Sequence, residues 1–485
     1  MQLSLSTDGD VPLVEQLVRA VRGQIDDRIL RPGARLPAIR QLAEHHGISR
    51  FTVVEAYDRL VAQGYLQSKR GAGFFVALRE EPVPCAVPPT QRQQAIDVAW
   101  LMRRALSEDE SLLQASVGWL PPTWLDNEGV QKAVRQLTRG TDAVRFGCYG
   151  EPNGYRPLRE QLRVILGGIG IEARPEQTVL TLGATQALDI VSRYMIRPGD
   201  TVLVDDPGYF NLFGALRLLG AHLVGVPRLD DGPDTDALEQ LAAQHRPKLF
   251  ITHSVLHNPT GCNLSPACAY RVLQVAERYD FTIVEDDTYG DLCPGPATRL
   301  ASLDQLNRVI FIGSFSKTLS ANVRVGFLAC HAALADQMAD IKLLTAVSTS
   351  EFTEQVIYRL LIDGHYRKHV ERLRSRLGEA AARTARMLES AGLSFRYPDA
   401  GVFIWARVPG TEDATWLAEQ AQRQGIVLAP GKIFRPQTQP SPYLRINVAY
   451  ANDIRLERFL SEALAAARPR PDALRADVSV LPGAS

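Results

Sequence analysis

The chain has 485 residues, more than one hydrophobic core usually serves, so the sequence predicts two or more domains. Hydrophobic residues at 45% and charged residues at 22% are typical of a globular protein, and 54 basic residues balance 54 acidic ones, so the bulk charge favours no particular partner. The six cysteines lack metal-ligand spacing, and neither a signal peptide nor a membrane-length apolar run is present, so we predict a cytoplasmic protein without a metal site.

Residues 1–78 show the pattern of three short helices followed by a hairpin. Apolar residues recur at helical spacing, Gly47 is a suitable end for the second helix, and Ser49 can cap the third. Residues 65–76, which have a turn-like centre, predict a β-hairpin. Two short helices around a glycine turn, followed by a hairpin, predict a winged helix-turn-helix.

The placement of cations and small polar residues in this segment predicts a DNA-binding surface. Phosphate binding needs exposed cations, and base recognition needs side chains at the first turn of the recognition helix. The candidates are Arg40, Ser49, Arg50, Thr52, Lys69 and Arg70. A helical bundle that serves docking or dimerisation, with merely solvated charges, is the alternative.

Four motifs in this segment closely resemble the GntR winged-helix domain, in the order and spacing of that family. They are Leu36–Ala43, Gly47–Val53, Ala56–Leu60 and Gly64–Leu66. The resemblance covers residues 12–77 and implies a GntR-type winged helix-turn-helix that binds a double-stranded DNA operator.

The composition changes after this segment. Several prolines fall among small and polar residues in 79–110, which favours an extended linker, and the proline-containing residues 468–485 predict a mobile tail. Between them, residues 111–467 alternate helical patterns with apolar runs that are strand candidates. These runs are Val179–Leu182, Val202–Val204, Leu249–Ile251, Thr282–Val284, Val309–Phe311 and Phe327–Ala329. Helical crossovers between the strands imply an α/β fold with a mostly parallel sheet, whose ligands bind beyond the carboxyl ends of the strands.

Polar segments follow the successive strand candidates, where such a ligand would lie. Gly183–Gln186 opens a helix and could hold a phosphate with its backbone amides. Tyr209, after the second strand, could stack on a flat ring, and Asn258 lies in a tight polar turn after the third. The segment Glu285–Tyr289 follows the fourth strand, where a carboxylate could pair with a protonated pyridine nitrogen while the tyrosine donates to a phenolic oxygen.

Lys317 lies just past the fifth strand candidate, between hydroxyl groups and seven residues before Arg324. Its amine could hold an aldehyde as a Schiff base, while Ser314, Ser316 and Arg324 contact a phosphate dianion. Each motif alone is equally compatible with a turn, a helix cap or an exposed loop. Five of them at successive strand ends, in a fixed order, favour a single cofactor site.

This ordered set resembles the fold-type I pyridoxal-phosphate enzymes of the aspartate aminotransferase class. The resemblance implies that Lys317 is the Schiff-base lysine, that Asp286 pairs with the pyridine nitrogen, and that Arg445 binds the α-carboxylate of an amino acid. The other cofactor contacts that it implies are Tyr289, Asn258 and Tyr209 at the ring, and Gly183, Ala184, Thr185, Ser314, Ser316, Arg324 and Tyr149 at the phosphate. Tyr149 would come from the neighbouring subunit, which implies a homodimer.

A GntR-type winged helix joined by a linker to an aminotransferase-like domain is the layout of the MocR family of bacterial transcription regulators. The resemblance implies a cytoplasmic, homodimeric regulator whose large domain senses pyridoxal phosphate, an amine or amino acid that displaces Lys317 from the aldehyde, or both. An active aminotransferase that carries a DNA-binding module is the alternative, since the lysine, aspartate and arginine permit catalysis.

Overall fold

The computed structural model describes residues 11–27, 29–69, 73–77, 106, 109, 111–139, 147–398 and 400–467. The chain divides into two compact units, Met1–Thr90 and Gln91–Ser485. Arg70, the predicted tail and all of the predicted linker except residues 106 and 109 lie outside the described residues. Within the described part of the chain, no helix is both long and apolar enough to cross a bilayer.

The first unit consists of three helices and an antiparallel hairpin. Its elements are α1 (Leu13–Asp26), α2 (Ile39–His46), α3 (Arg50–Ala62), β1 (Leu66–Lys69) and β2 (Gly73–Val76). Gly47 ends α2 with a φ of 65°, a conformation that glycine adopts without strain. Ser49 caps α3 by accepting a hydrogen bond from the Thr52 amide at 3.0 Å. The predicted winged helix-turn-helix is therefore confirmed.

A compact apolar core holds this first unit together. Leu17 and Val21 of α1 pack with Val53, Tyr57 and Leu60 of α3, and all five side chains are fully buried. Their spacing within each helix places them on one face, as the sequence pattern predicts.

The second unit is built on a large sheet that has eight strands among the described residues. They are β3 (Thr178–Thr181), β4 (Thr201–Asp206), β5 (His222–Leu229), β6 (Gly232–Pro233), β7 (Leu249–Thr252), β8 (Thr282–Asp286), β9 (Val309–Ser314) and β10 (Gly326–Ala329). Their spatial order is β3-β10-β9-β8-β7-β4-β5-β6. The central strands β5, β4, β7, β8 and β9 run parallel, which confirms the mostly parallel sheet.

One connection differs from the prediction. β10 pairs antiparallel with both β9 and β3 instead of following a helical crossover. The described residues 315–325, which join β9 to β10, contain no helix, so the chain turns back directly. This turn contains Lys317 and Arg324 and brings both to the carboxyl end of β9.

Successive side chains of β9 point to opposite faces of the sheet, and both faces are buried. Val309 and Phe311 pack into the apolar cluster on one face of the sheet, whereas Ile310 and Ile312 pack into the cluster on the other face. Strands of a parallel sheet are covered on both faces, so they are apolar at every position instead of at every second one.

Helices cover the sheet and support a second, smaller sheet. The helices are α4 (Asn127–Arg139), α5 (Arg156–Gly168), α6 (Ala184–Met195), α7 (Phe210–Leu218), α8 (Thr235–His245), α9 (Pro266–Tyr279), α10 (Leu300–Asp304), α11 (Ala332–Ala346), α12 (Glu351–Ile362), α13 (His365–Ser390), α14 (Thr415–Arg423) and α15 (Ile454–Ala467). The smaller sheet is antiparallel, in the order β11-β12-β14-β13. Its strands are β11 (Ser394–Phe395), β12 (Phe403–Arg407), β13 (Ala429–Pro430) and β14 (Tyr443–Asn447). Arg445 lies on β14, one of its two central strands.

Candidate functional site

The carboxyl ends of β8 and β9 open into a cavity of about 770 Å³. Asp286, Lys317, Arg324 and Arg445 all line it, although they come from three different parts of the chain. Desolvation lowers the pKa of Lys317 to about 8, and the positive charges of Arg445 and Arg324 act in the same direction. At pH 7 roughly a tenth of this amine is therefore neutral, and hence nucleophilic, which is far more than in an ordinary lysine.

A cradle for an anion lies at the start of α6. Arg324 donates to the Ser316 hydroxyl at 3.1 Å and to the Leu182 carbonyl at 2.8 Å, and the Ser314 hydroxyl accepts from the Ser316 amide at 3.2 Å. Gly183 has a φ of 75°, a conformation that favours glycine, and a Cβ there would lie 2.8 Å from Arg324 Nη2. The amides of Ala184 and Thr185 open the same helix. Helix-terminal amides, two hydroxyls and a guanidinium form a donor set that suits a phosphate dianion.

Asp286 is held as an anion on the far side of the cavity. Its Oδ1 accepts from the Thr288 amide at 3.0 Å, and its Oδ2 lies 3.3 Å from His253 Nε2. Burial alone would raise the pKa of Asp286, but His253 and the Thr288 hydrogen bonds together lower it. The carboxylate can therefore pair with a cation such as a protonated pyridine nitrogen.

A second buried network, around Asp205, is joined to Asp286 through His253. Asp205 Oδ2 accepts from Arg228 Nη1 at 3.0 Å and from the Thr252 hydroxyl at 2.8 Å, and it lies 3.4 Å from His257 Nε2. Burial, reinforced by Arg228, lowers the pKa of His257 to about 3, so that its ring is neutral. Potential metal-ligand atoms of Asp205, His253 and His257 lie within 4.8 Å of one another. Arg228 already neutralises Asp205, which favours a structural role for both histidines over metal binding.

Replacing Arg228 with methionine is expected to destabilise the second unit by about 3–5 kcal/mol, since Asp205 would be left as an unpaired buried charge. Urea unfolding at neutral pH measures the loss. Arg156→Met, which breaks an exposed pair with Glu160, is the matched control and should change stability little. An equally small effect for both variants would contradict the expectation.

Arg445 is buried between aromatic rings and polar partners. Its Nη1 donates to Asn258 Oδ1 at 2.8 Å, and its guanidinium carbon lies 4.5 Å from the Phe403 ring centroid and 4.8 Å from that of Phe434. Burial lowers the pKa of Arg445 to about 10, so it remains a cation at neutral pH. Its Nε is buried and has no hydrogen-bond partner among the described residues. Because Asn258 Oδ1 accepts from Arg445, the amide nitrogen of Asn258 is available to donate.

The aromatic candidates lie in different environments. Tyr209 and Tyr289 both line the cavity, and the Tyr289 hydroxyl donates to the Gly118 carbonyl at 2.9 Å. Tyr149 is 83% exposed and does not line the cavity of its own chain. The structure therefore brings together all the predicted cofactor contacts except Tyr149.

Two residues that sequence reasoning missed also shape the cavity. His253 contacts Asp286, and Asn447 donates to the carbonyls of Val117 and Trp119, both at 2.8 Å. Asn447 lies two positions after Arg445 on β14, so strand alternation could have indicated that both face the same side. No sequence pattern distinguishes His253.

The DNA-binding candidates of the first unit lie on its surface. Arg40 on α2 and Arg50 at the start of α3 approach the same Glu44 carboxylate at 2.9 and 3.9 Å, and their side chains are 73% and 64% exposed. Ser49 and Thr52 form the first turn of α3 with a 2.8 Å hydroxyl–hydroxyl contact. Lys69, at the end of β1, lies 5.0 Å from the Phe75 ring centroid. These positions suit contact with a phosphate backbone, and Arg70 lies outside the described residues.

Two family models match the chain. The model for bacterial regulatory proteins of the gntR family matches residues 13–76, and the model for aminotransferase class I and II matches residues 125–462. The probable rhizopine catabolism regulatory protein MocR of Rhizobium meliloti is 29% identical over 447 residues, which cover 88% of each chain. The 2-aminoadipate transaminase of Thermus thermophilus is 31% identical over 368 residues, 74% of this chain and 90% of that one.

A solved structure of similar fold is that of the α-aminoadipate aminotransferase LysN from Thermus thermophilus, complexed with N-(5'-phosphopyridoxyl)-L-leucine. It superposes with a TM-score of 0.69 at 27% sequence identity, and the match covers 76% of this chain and 96% of that one.

Proposed function

The chain belongs to the aminotransferase class I and II family and carries a GntR-type winged helix, and from this we propose that it is a DNA-binding transcriptional regulator that senses through pyridoxal phosphate. The observation that carries the proposal is the cavity in which Lys317, Asp286, Arg324 and Arg445 converge, on a chain that also holds a DNA-binding fold. The similarity to MocR of Rhizobium meliloti extends over both units and supports it. The domain limits that we propose are 1–78, 79–110, 111–467 and 468–485.

The residues of the cavity fit the cofactor. Pyridoxal phosphate would supply an aldehyde that captures amines and a ring that withdraws electrons. Arg324, Ser314 and Ser316, with the amides at the start of α6, would hold its phosphate. Asp286 would pair with the ring nitrogen, and the neutral amine of Lys317 would bond to the aldehyde.

The remaining groups would hold the ring and the effector. Asn258 would donate to the ring hydroxyl through its free amide nitrogen, and Tyr209 would stack on the ring. The Tyr289 hydroxyl has one proton, so donation to the ring would replace its bond to Gly118. Arg445 would bind the carboxylate of an amino acid that displaces Lys317.

Regulation requires that the effector change DNA affinity. A ligand shifts an equilibrium only through different affinities for the two states that it connects. We propose that the active assembly is a homodimer in which the exposed Tyr149 of one subunit contacts the cofactor phosphate of the other. Its exposure on its own chain supports this arrangement.

Operator affinity tests the proposal. Genomic fragments recovered with the protein would be titrated by mobility shift, first without additions, then with pyridoxal phosphate, and then with candidate amines and amino acids. We expect at least one of these additions to change affinity by roughly 5- to 150-fold, the usual range of coupling between two sites. Identical affinities under all conditions would reject the sensor.

An active transaminase is the second candidate. The 31% identity to a 2-aminoadipate transaminase and the complete set of Lys317, Asp286 and Arg445 favour it. Steady turnover of an amino acid with a keto acid would support this alternative. Effector binding without keto product would support the sensor.

Attachment of the cofactor should depend on pH in a way set by Lys317. Only the neutral amine attacks an aldehyde, and the Lys317 pKa of about 8 means that this form accumulates as pH rises to 8 and is dominant above it. The attachment rate, followed by visible absorption, should therefore rise up to about pH 8 and then level off. A rate that keeps rising to about pH 10, as expected for an ordinary lysine, would contradict the lowered pKa.

Replacing Arg50 with alanine is expected to weaken operator binding by roughly ten- to a hundredfold, the usual contribution of a side chain at the first turn of a recognition helix. Mobility shift at fixed salt measures the change. Arg59→Ala is the matched control, because Arg59 lies near the other end of α3 and pairs with Glu55. Equal affinities for the two variants would place the DNA contact elsewhere.

A further inference from the structure

Few charged side chains line the cavity, and the proposed function assigns each of them to one group of the cofactor or of the effector. Among the described lining residues they are Asp286, Lys317, Arg324 and Arg445. These correspond to the ring nitrogen, the aldehyde, the phosphate and the α-carboxylate. No further charged group of the described lining remains for the side chain of an amino acid.

The wall beside Arg445 is the segment from Ser116 to Leu120. Its carbonyl groups already accept hydrogen bonds from site residues: Ser116 from Arg445, Gly118 from Tyr289, and both Val117 and Trp119 from Asn447. The carbonyls of Ser116, Val117 and Trp119 are therefore engaged within the protein, and that of Gly118 is released if Tyr289 donates to the ring instead. The side chains of Val117, Trp119 and Leu120 line the cavity beside these carbonyls.

The side chains of Val117, Trp119 and Leu120 are mainly apolar, and the Ser116 hydroxyl donates to the Arg445 carbonyl. The Trp119 side chain interacts with that of Tyr450 and offsets part of the rise that burial causes in the Tyr450 pKa. The apolar lining of this region consists of Val117, Trp119, Leu120, Pro122, Leu125 and Val427. Leu120 and Val117 are 2% and 3% exposed, so this surface is packed firmly in place.

The polar lining residues nearby are also largely engaged within the protein. Asn127 donates to the Pro122 carbonyl at 2.8 Å, and Asn211 donates to the Tyr209 hydroxyl at 3.2 Å. A second carboxylate or an ammonium group on a ligand would lose its hydration without gaining a counter-ion. Burial of an unpaired charge is strongly unfavourable.

We propose that the effector of this cavity is an α-amino acid with an uncharged, mainly apolar side chain, selected by the wall of Val117, Trp119, Leu120 and Val427. This inference rests on the proposed function, since it assigns Lys317 and Arg445 to the amine and the carboxylate. It goes further by excluding acidic and basic amino acids as the preferred ligands.

Leucine, asparagine and aspartate provide a matched test, because their side chains share one branched shape and differ in polarity and charge. The full-length protein loaded with pyridoxal phosphate would be titrated with each, and with lysine, while the visible absorption of the bound cofactor is followed. We expect leucine to bind at least roughly a hundredfold more tightly than aspartate or lysine, with asparagine between them. Equal or tighter binding of aspartate or lysine would overturn the proposal.

A variant makes the role of the wall testable. Trp119→Arg places a cation on the partly buried wall and should shift the preference from leucine towards aspartate. Trp416→Arg is the matched control, since Trp416 packs against the core of the smaller sheet and does not line the cavity. Retained cofactor absorption shows that each variant is folded, and an unchanged leucine-to-aspartate ratio in Trp119→Arg would count against the wall.

The outcomes separate the two proposals. If the protein does not take up pyridoxal phosphate, the proposed function fails and this inference fails with it. If it takes up the cofactor and responds to no amino acid, this inference fails, whereas a sensor of pyridoxal phosphate or of a simple amine stands. If amino acids bind but the charged ones bind best, the proposed function stands and only the inferred ligand class is wrong.

Discussion

Replacing Lys317 with alanine is expected to abolish covalent attachment of pyridoxal phosphate and, with it, any effect of amines on DNA binding. Lys317 is the single lysine among the described residues that line the cavity, and its lowered pKa makes its amine reactive. The buried Lys342 cannot substitute, because it donates to the Leu180 carbonyl at 2.8 Å and to the Thr349 hydroxyl at 2.9 Å. Visible absorption after removal of free cofactor should fall to the level of protein without cofactor.

Lys368→Ala provides the control for this variant. Lys368 is exposed on α13, so its loss should leave cofactor absorption unchanged. Both variants should retain their affinity for DNA in the absence of cofactor and amine. Absorption that survives in Lys317→Ala would show that the cofactor is held at another amine.

Replacing Arg445 with alanine is expected to lower affinity for an amino-acid effector by about 2–5 kcal/mol, the usual effect of removing one member of a buried charged pair. This corresponds to roughly 30- to several-thousand-fold in the dissociation constant. Lys317 remains in place, so absorption of the bound cofactor should persist. Titration with leucine, followed by visible absorption, measures the change.

The decarboxylated form of the same amino acid distinguishes lost recognition from a damaged cavity. 3-Methylbutylamine lacks the carboxylate, so it should bind Arg445→Ala and the unchanged protein with similar affinity. Arg407→Ala is a further control, because Arg407 is on β12 and pairs with the exposed Glu412. A parallel loss of leucine and amine affinity would mean that Arg445 supports the fold of the cavity and does not recognise the carboxylate.

The winged helix and the mostly parallel sheet could be predicted because their signals are local. The turn at Gly47, the cap at Ser49 and the apolar run of β9 each depend on neighbours within one element. The carboxyl ends of parallel strands meet at one edge of a sheet, so polar segments at those ends could be assigned to a common cavity before any contact was known. Asp286 and Lys317 are the clearest examples.

The smaller sheet and the wall of the cavity could not be derived in this way. Asn447 donates to the Val117 carbonyl across 330 positions of the sequence, and Arg445 reaches Ser116 across 329. Such contacts depend on how the smaller sheet packs against residues 116–119, which no local pattern records. The antiparallel direction of β10 was missed for a related reason. No local pattern shows whether the strand after a loop runs parallel or antiparallel to the strand before it.

The buried network around Asp205 shows a different limit. Arg228 and Asp205 come from neighbouring parallel strands, but an alternating pattern does not reveal that a charge pair lies in the interior. Composition predicts such residues to be exposed. Only the packed structure shows that Arg228 neutralises Asp205, and that the neutral His257 lies beside them.

The most direct measurement is the site at which pyridoxal phosphate bonds to the protein. The loaded protein would be reduced with borohydride, which makes the link between lysine and cofactor permanent, then digested and mapped by mass spectrometry. We predict one cofactor per chain, on the peptide that contains Lys317. An unmodified Lys317 peptide, or a cofactor carried on other lysines, would contradict the central claim that this chain senses through Lys317.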